Sequence, residues 1–159
     1  MNTTDGESSF ISTEEELRAV FVEEMNEVLP EANKYLSQVV QSPSEAEALE
    51  HFRRLMHTIK GSGRTAGLQA TGELGWIAES LSNIVLDAGQ APSAALLEFF
   101  GGISKQLEQL HNSNYSQESS VDLGDWHRQA DDLHEVLLAS DEGDMQQSIT
   151  ARGDEELRQ

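Results

Sequence analysis

The sequence contains no cysteine, which excludes a disulfide, a thiolate metal site and a cysteine nucleophile. This absence is typical of proteins in a reducing compartment. Long apolar runs are also missing, since none approaches the ~20 residues that a membrane-spanning helix needs. The first residues, MNTTDGESS, are polar and acidic, unlike the basic and apolar regions of a signal peptide. We therefore expect a soluble, cytoplasmic chain that makes no membrane contact.

Positively charged residues are scarce: 10 lysines and arginines stand against 29 aspartates and glutamates, so the net charge is −19. Binding to nucleic acid or to an anionic membrane relies on lysine and arginine at phosphate groups. The charge balance therefore argues against both classes of partner. The segment 141–159 combines many acidic residues with few apolar ones, which predicts a disordered acidic tail.

Apolar residues recur at three- and four-residue steps along most of the chain, which is the pattern of amphipathic helices. Thr13 and Glu16 form a capping box ahead of the first such pattern. We therefore predict a flexible leader over residues 1–12 and a first helix that begins at Thr13. Pro30 either kinks this helix or opens a second one. Because the apolar face continues beyond the proline, we favour one long kinked helix that reaches about Val40.

Four more helices follow from the same periodicity. Ser42 and Pro43 mark the start of the second helix, which should reach Arg64 or a little beyond. The later helices are expected over residues 71–87, 92–110 and 121–139. No segment alternates apolar and polar residues over a useful length, so no strand is predicted. The sequence thus predicts an all-α fold, an antiparallel four-helix bundle with an additional C-terminal fifth helix, in one domain over residues 13–140.

The stretch HTIKGSGRTAG places glycines inside the second helix. His57, at its start, shares one helix face with Lys60 and Arg64, because residues three and seven apart lie above one another. A glycine inside a helix costs about 1 kcal/mol relative to alanine. Two explanations stay open. Either the helix ends here, with Gly67 just past its terminus, or Gly61 clears space beside His57 for the approach of another protein.

This stretch resembles the signature of histidine-containing phosphotransfer (HPt) domains, in the form His57-x-x-Lys60-Gly61-Ser62 with Gly67 ten residues after the histidine. It is most similar to the HPt domains of chemotaxis-type histidine kinases. Its Gly-Ser-Gly-Arg variant looks like those of type IV pilus, or twitching-motility, chemosensory kinases. The resemblance implies a helical phosphocarrier that is no enzyme by itself and holds no cofactor or metal. It implies that His57 takes a phosphoryl group from the ATP-binding domain of a histidine kinase and passes it to an aspartate of a response-regulator receiver domain.

The resemblance also implies roles for the residues around the histidine. Glu79 falls at the position of the glutamate that orients the phosphorylated imidazole in chemotaxis-kinase HPt domains. Lys60 and Arg64 would offset the charge of the phosphoryl group. Domains of this class often carry a second histidine one turn before the glutamate, where this sequence has Trp76. The support and partner-binding positions are Gly61, Ser62, Gly63, Arg64 and Gly67.

Other interpretations stay open beside this one. A helical scaffold that docks signalling partners without being phosphorylated fits the same bundle. A self-contained acid–base enzyme would need a cleft-forming second domain or a nucleophile pair, which the sequence does not offer. His127, Asp131 and His134 share a face of the fifth helix at metal-compatible spacing, but they lack a fourth ligand. The glycine-rich stretch has neither the Gly-x-Gly-x-x-Gly spacing nor a preceding strand, so it does not predict a nucleotide site.

Overall fold

A computed structural model describes the backbone of residues 3–137 and the side chains of residues 13–137. The helices in chain order are α1 (Thr3–Gln41), α2 (Ala46–Thr65), α3 (Gln69–Asp87), α4 (Ala94–Asn112), a short 3₁₀ helix (Glu118–Ser120) and α5, described over residues 123–137. No strand occurs among the described residues. The prediction of an all-α bundle with an added fifth helix is confirmed, whereas the predicted acidic tail lies outside the described residues. None of the described helices has the length and apolar character that crossing a membrane requires.

The inward faces of α1 to α4 form the core of the bundle. α2 packs against both α1 and α3. α4 also packs against α1 and α3, which completes the four-helix bundle. Phe52 on α2 and Phe100 on α4 meet in this core, with ring centroids 5.1 Å apart. The other large, fully buried side chains include Met25, Leu49, Met56, Ile59, Leu74, Leu96, Ile103, Leu107 and Leu110. Because this packing uses one face of α2, the opposite face remains at the surface.

The start predicted for the first helix is wrong, since α1 begins at Thr3 and not at Thr13. No proline lies between residues 3 and 13, so no residue there interrupts the helix. Most of the predicted leader is therefore part of a helix. The prediction of one long helix is confirmed, because α1 continues through Pro30.

α2 and α4 begin later than their predicted starts at Pro43 and Pro92. α2 begins at Ala46, after a turn that contains the proline. α4 follows Ser93, whose hydroxyl accepts a hydrogen bond from the Leu96 amide at 3.1 Å. Serine is a favoured N-cap because it satisfies an amide at the helix start that has no intrahelical partner. In both helices the proline therefore lies in the preceding connection, where its missing N–H is not needed.

The end of α2 is fixed by Gly67. α2 ends at Thr65, and Gly67 follows with a positive φ of 75°. Its amide donates to the Arg64 carbonyl at 3.1 Å, and the Leu68 amide donates to the Gly63 carbonyl at 2.8 Å. These two bonds form a Schellman motif, in which glycine is favoured because it adopts the left-handed conformation without strain. The explanation that the helix ends here, with Gly67 past its terminus, is confirmed.

The N-terminus of α3 is capped from a distant part of the chain. α3 begins at Gln69, two residues before the predicted start at Thr71, and its N-cap residue Leu68 makes no side-chain cap. The carboxylate of Glu118 takes this role. It accepts from the Thr71 amide at 3.1 Å and from the Thr71 hydroxyl at 2.8 Å. A negative charge at this helix end is also favoured by the helix dipole.

α5 packs on the bundle through Trp126 and Ala130. A Cβ on Gly102 would lie 3.3 Å from the indole of Trp126, and the Phe99 ring meets the same indole edge-on at 5.6 Å. Ala130 is buried in this contact region. Gly102 of α4 therefore makes room for Trp126. Its neighbour Gly101, in contrast, faces open space.

Candidate functional site

The side chain of His57 lies on the exposed face of α2, where 60% of its surface is accessible. Its Nδ1 lies 2.8 Å from Oε1 of Glu79 on α3. An ionised carboxylate can only accept a hydrogen bond, so Nδ1 carries the proton and donates it. In the neutral ring Nε2 then holds a lone pair. No described residue bonds to Nε2, which leaves it open to an incoming group.

Glu79 is buried beside His57, with 8% of its surface exposed. Its Oε2 lies 2.7 Å from Nζ of Lys60, so each carboxylate oxygen is bonded to a different side chain of α2. Burial raises the pKa of Glu79, but hydrogen bonds and charge from Lys60 and His57 outweigh that effect and hold the pKa below its usual value. The carboxylate is therefore ionised near neutral pH, as an acceptor for the Nδ1 proton must be.

The reach of Glu79 depends on a glycine at the crossing of α2 and α3. A Cβ on Gly75 would lie 2.8 Å from both the carbonyl oxygen of Met56 and the amide nitrogen of Lys60. Any side chain at this position would push the two helices apart. Glu79 follows Gly75 by about one turn of α3. The close contact therefore brings the Glu79 carboxylate within hydrogen-bond distance of His57.

A pair of glycines, Gly63 on α2 and Gly72 on α3, lies further along the same crossing. A Cβ on Gly63 would lie 3.0 Å from the amide nitrogen of Gly72, and Gly63 is buried. Gly63 therefore supports the site through helix packing and is not part of the accessible surface. Gly72 and Gly75 were not predicted as site residues from the sequence. The signal that could have identified them is their spacing of three on one helix face.

A concavity of about 430 Å³ lies beside His57, between α1 and α2. Gly61 lines it, and a Cβ there would meet no atom within 4 Å. The α1 wall carries Leu17 and Val20, which are 42% and 61% exposed. Large apolar side chains that stay exposed together are typical of interaction surfaces. We name this surface the His57 concavity. The space beside His57 that Gly61 was expected to clear is present in the structure.

Ser62 ties α2 to α1 at the edge of the His57 concavity. Its hydroxyl donates a hydrogen bond to Oε1 of Glu24 at 2.6 Å. This bond holds the two walls together and gives a polar group on each helix a hydrogen-bond partner. Glu24 was not predicted as a site residue, because nothing in the local pattern distinguishes it from the other acidic residues of the first helix.

Lys60 and Arg64, the two cations of the motif, lie in different surroundings. The ammonium of Lys60 is bonded to Glu79, and its side chain is only 19% accessible. Arg64 is exposed and forms no ion pair with any described residue. The charge of Lys60 is therefore balanced by Glu79. Arg64 is the cation of the motif that stays unpaired within the described part.

A comparison with known protein families matches residues 16–113 to the Hpt domain. The match spans more than half of the chain and includes all of α2 and α3, the two helices that carry the site. The chain belongs to the Hpt domain family. Comparisons with curated proteins and with solved structures find no match.

Family membership establishes the general function of the chain. Hpt domains carry out histidine phosphotransfer in phosphorelays, in which they interact with histidine kinases and response regulators. They are phosphocarriers and not catalysts. The HPt prediction drawn from the motif is therefore confirmed. The 3₁₀ helix and α5 lie beyond the matched residues.

In this Hpt domain Trp76 lies one turn before Glu79. Its side chain is 42% exposed, and its ring centroid lies 6.2 Å from that of His127 on α5. Among the described residues, Glu79 is bonded to His57 and Lys60 and to no second histidine. The carboxylate is therefore held by these two partners alone within that part of the chain.

The residues considered as metal ligands on α5 do not assemble into a site. Nε2 of His127 lies 4.0 Å from Oε1 of Glu73 on α3. Asp131 and His134 are exposed. Across residues 13–137 no three histidine, aspartate or glutamate side chains come together in an arrangement that could hold a metal ion. The structure gives the metal interpretation no support.

Proposed function

We propose that His57 is the residue on which this Hpt domain is phosphorylated, at Nε2. The phosphoryl group comes from ATP through the catalytic domain of a histidine kinase and leaves to an aspartate of a receiver domain. One observation carries this proposal: the imidazole is 60% accessible and its Nε2 is bonded to no described residue, while Nδ1 is held by a buried carboxylate at 2.8 Å. A nucleophilic histidine requires that one nitrogen keep its lone pair and that the other be fixed as N–H.

In the first transfer, the lone pair of Nε2 attacks the γ-phosphorus of ATP. The N–P bond forms as the bond from phosphorus to the ADP oxygen breaks, and ADP leaves. Because Nδ1 keeps its proton, the phosphorylated ring carries a positive charge. The Glu79 carboxylate, which lies against Nδ1, stabilises this charge from a position fixed before the reaction begins. The kinase supplies Mg²⁺ and the remaining catalytic groups.

In the second transfer, a carboxylate oxygen of the receiver aspartate attacks the same phosphorus. The N–P bond breaks, and its electron pair returns to Nε2, which restores the neutral ring. No proton has to enter or leave the site in either step. The hydrogen bond from Nδ1 of His57 to Glu79 can therefore persist through both transfers. The Hpt domain needs no further side chain to act as a general acid or base.

Lys60 serves as a positioning residue in this proposal. Its ammonium holds Oε2 of Glu79, so that Oε1 points at the imidazole. It also keeps Glu79 ionised by lowering the pKa of the carboxyl group. The phosphoryl group itself meets Arg64 or charges that a partner brings, because the charge of Lys60 is already balanced.

The partners reach His57 over the His57 concavity. Its open space at Gly61 and its exposed Leu17 and Val20 offer an apolar surface next to the reacting nitrogen. The motif favours a kinase of the chemotaxis type, with type IV pilus chemosensory kinases as the most similar class. Since ATP is the source of the phosphoryl group, we place the module in the cytoplasm.

The test is phosphoryl transfer from radiolabelled ATP, with a chemotaxis-type kinase catalytic domain, to wild type, His57→Gln and His51→Gln. His51 lies on the same helix and is half-buried, so its replacement is a matched control. We expect acid-labile, alkali-stable label on wild type and on His51→Gln, and none on His57→Gln.

Phosphoramidate, a small chemical donor, separates this proposal from the scaffold alternative. Label or mass gain at His57 from phosphoramidate shows a competent nucleophile even where a given kinase is the wrong partner. A wild-type chain that phosphoramidate does not modify, while folded by circular dichroism, would contradict the proposal and favour a docking scaffold.

A further inference from the structure

Positive charge in this acidic protein is concentrated on α2. Residues 51–65 contain Arg53, Arg54, Lys60 and Arg64 and no aspartate or glutamate, in a chain with 29 acidic residues. All four belong to the helix that carries His57. The net charge of the whole chain is −19, so this segment stands apart from the rest of the protein.

Three arginines in this segment surround the phosphotransfer histidine. Arg53 and Arg54 precede His57 by four and three residues, and Arg64 follows by seven. At about 100° of rotation per residue, all three lie within about 60° of the His57 direction around the helix axis. They span about 16 Å along it, at a rise of about 1.5 Å per residue. We name these three residues the arginine stripe.

The arginine stripe has no ion-pair partner among the described residues. Arg54 and Arg64 are exposed and Arg53 is half-buried, and none of the three forms an ion pair with a described residue. Two acidic side chains that contact the same helix bond to other residues, since Glu24 accepts from Ser62 and Glu79 is bonded to His57 and Lys60. The positive charge is therefore available to another molecule.

We propose that the arginine stripe docks the acidic rim of the receiver domain that takes the phosphoryl group from His57. This inference rests on the proposed function. The acceptor is an aspartate, and protein-bound Mg²⁺ is held by carboxylates and water, so a receiver's active site is acidic by its chemistry. Such a surface is repelled by a chain of net charge −19 and attracted by the stripe, which steers it onto the one face that carries His57.

The test compares the double variant Arg53→Gln/Arg54→Gln with the control Lys34→Gln/Lys105→Gln. Both remove two positive charges, but the control residues lie on α1 and α4. Each chain is first loaded with phosphoramidate. A panel of receiver domains from the same genome is first tested with wild type, and the one that accepts the phosphoryl group fastest is chosen. Phosphoryl transfer from each chain to this receiver domain is then measured. At about 20 mM salt we expect kcat/KM to fall about fivefold for the arginine variant and to stay near wild type for the control.

Salt provides the second readout, because screening shortens the range of charge interactions from about 20 Å to about 6 Å between about 20 mM and 300 mM salt. The fivefold difference should shrink to less than twofold at the higher concentration. A variant that transfers as fast as the control at low salt overturns the stripe but leaves the phosphotransfer proposal standing. Loading of the same variants from ATP by the kinase catalytic domain is measured in parallel. If the arginine variant is loaded more slowly by the kinase but transfers normally to the receiver, the stripe docks the kinase and the receiver assignment is overturned. Failure of phosphoramidate loading in wild type, or a panel with no acceptor, overturns the proposed function as well.

Discussion

The Cβ that Gly75 lacks would lie 2.8 Å from the amide nitrogen of Lys60. α3 therefore touches α2 backbone to backbone, about one turn from Glu79, and this contact sets the distance between Glu79 and His57. The site thus depends on a residue that has no side chain and takes no part in the chemistry.

Replacing Gly75 with alanine should separate the two helices. Inserting a methyl group into a close-packed contact costs about 1–3 kcal/mol, so we expect the midpoint of urea unfolding to fall. Loading of His57 by phosphoramidate should slow as well, since Glu79 moves away from the ring. Gly101→Ala is the matched control, because a Cβ there meets no atom within 4 Å. That change should stabilise α4 by up to about 1 kcal/mol. A Gly75→Ala chain as stable as the control would contradict the tight crossing.

The ion pairs of Glu79 should make stability depend on pH. The pKa of Glu79 lies below its usual value of 4.5 in the folded state, so its contribution is fully present above pH 4.5 and is lost as the pH falls through the lower folded-state value. Wild type should therefore unfold at higher urea than Glu79→Gln near neutral pH, and the gap should narrow on acidification to about pH 3. A gap that stays constant across this range would show that Glu79 is not held as a carboxylate.

Two substitutions of Gly61 test helix stability and partner access separately. Gly61→Ala should raise the free energy of unfolding by about 0.5–1 kcal/mol, because alanine is the better helix former and the position is open. Gly61→Leu fills the His57 concavity and should slow transfer to a receiver while the fold is retained. Urea unfolding and transfer kinetics on the same preparations measure the two effects. Unchanged transfer in Gly61→Leu would mean that partners do not use this concavity.

Glu118 should stabilise the domain by capping α3. Its carboxylate accepts from both the amide and the hydroxyl of Thr71. Loss of a helix cap costs about 1 kcal/mol, with a range of about 0.5–2, so Glu118→Ala should lower the unfolding midpoint. Glu135→Ala removes the same charge from an exposed position of α5 and serves as control. Equal midpoints for the two variants would remove the capping role.

Most of the fold could be predicted from local pattern. Apolar periodicity placed the helices and predicted the bundle, because a helix must bury its apolar stripe whatever its neighbours are. Helix starts were less predictable. Thr13 looks like a cap, yet α1 begins at Thr3. At the start of α3, the N-cap residue Leu68 has no side chain that can accept a hydrogen bond. The cap comes from Glu118, which is 47 residues from Thr71 in the sequence. No local window contains that information.

Local sequence is enough to identify the residues of α2 that carry the chemistry. His57, Lys60 and Arg64 share a face because helix geometry fixes which residues stack, and Gly67 marks the helix end because of its conformational freedom. How these groups pair depends on the packing of α2 against α3. Lys60 is bonded to Glu79 and is not left free for a phosphoryl group. The close contact at Gly75 sets the distance between α2 and α3 that allows this bond. Such contacts join residues far apart in the chain, and the packing of whole helices, not the preference of any segment, determines them.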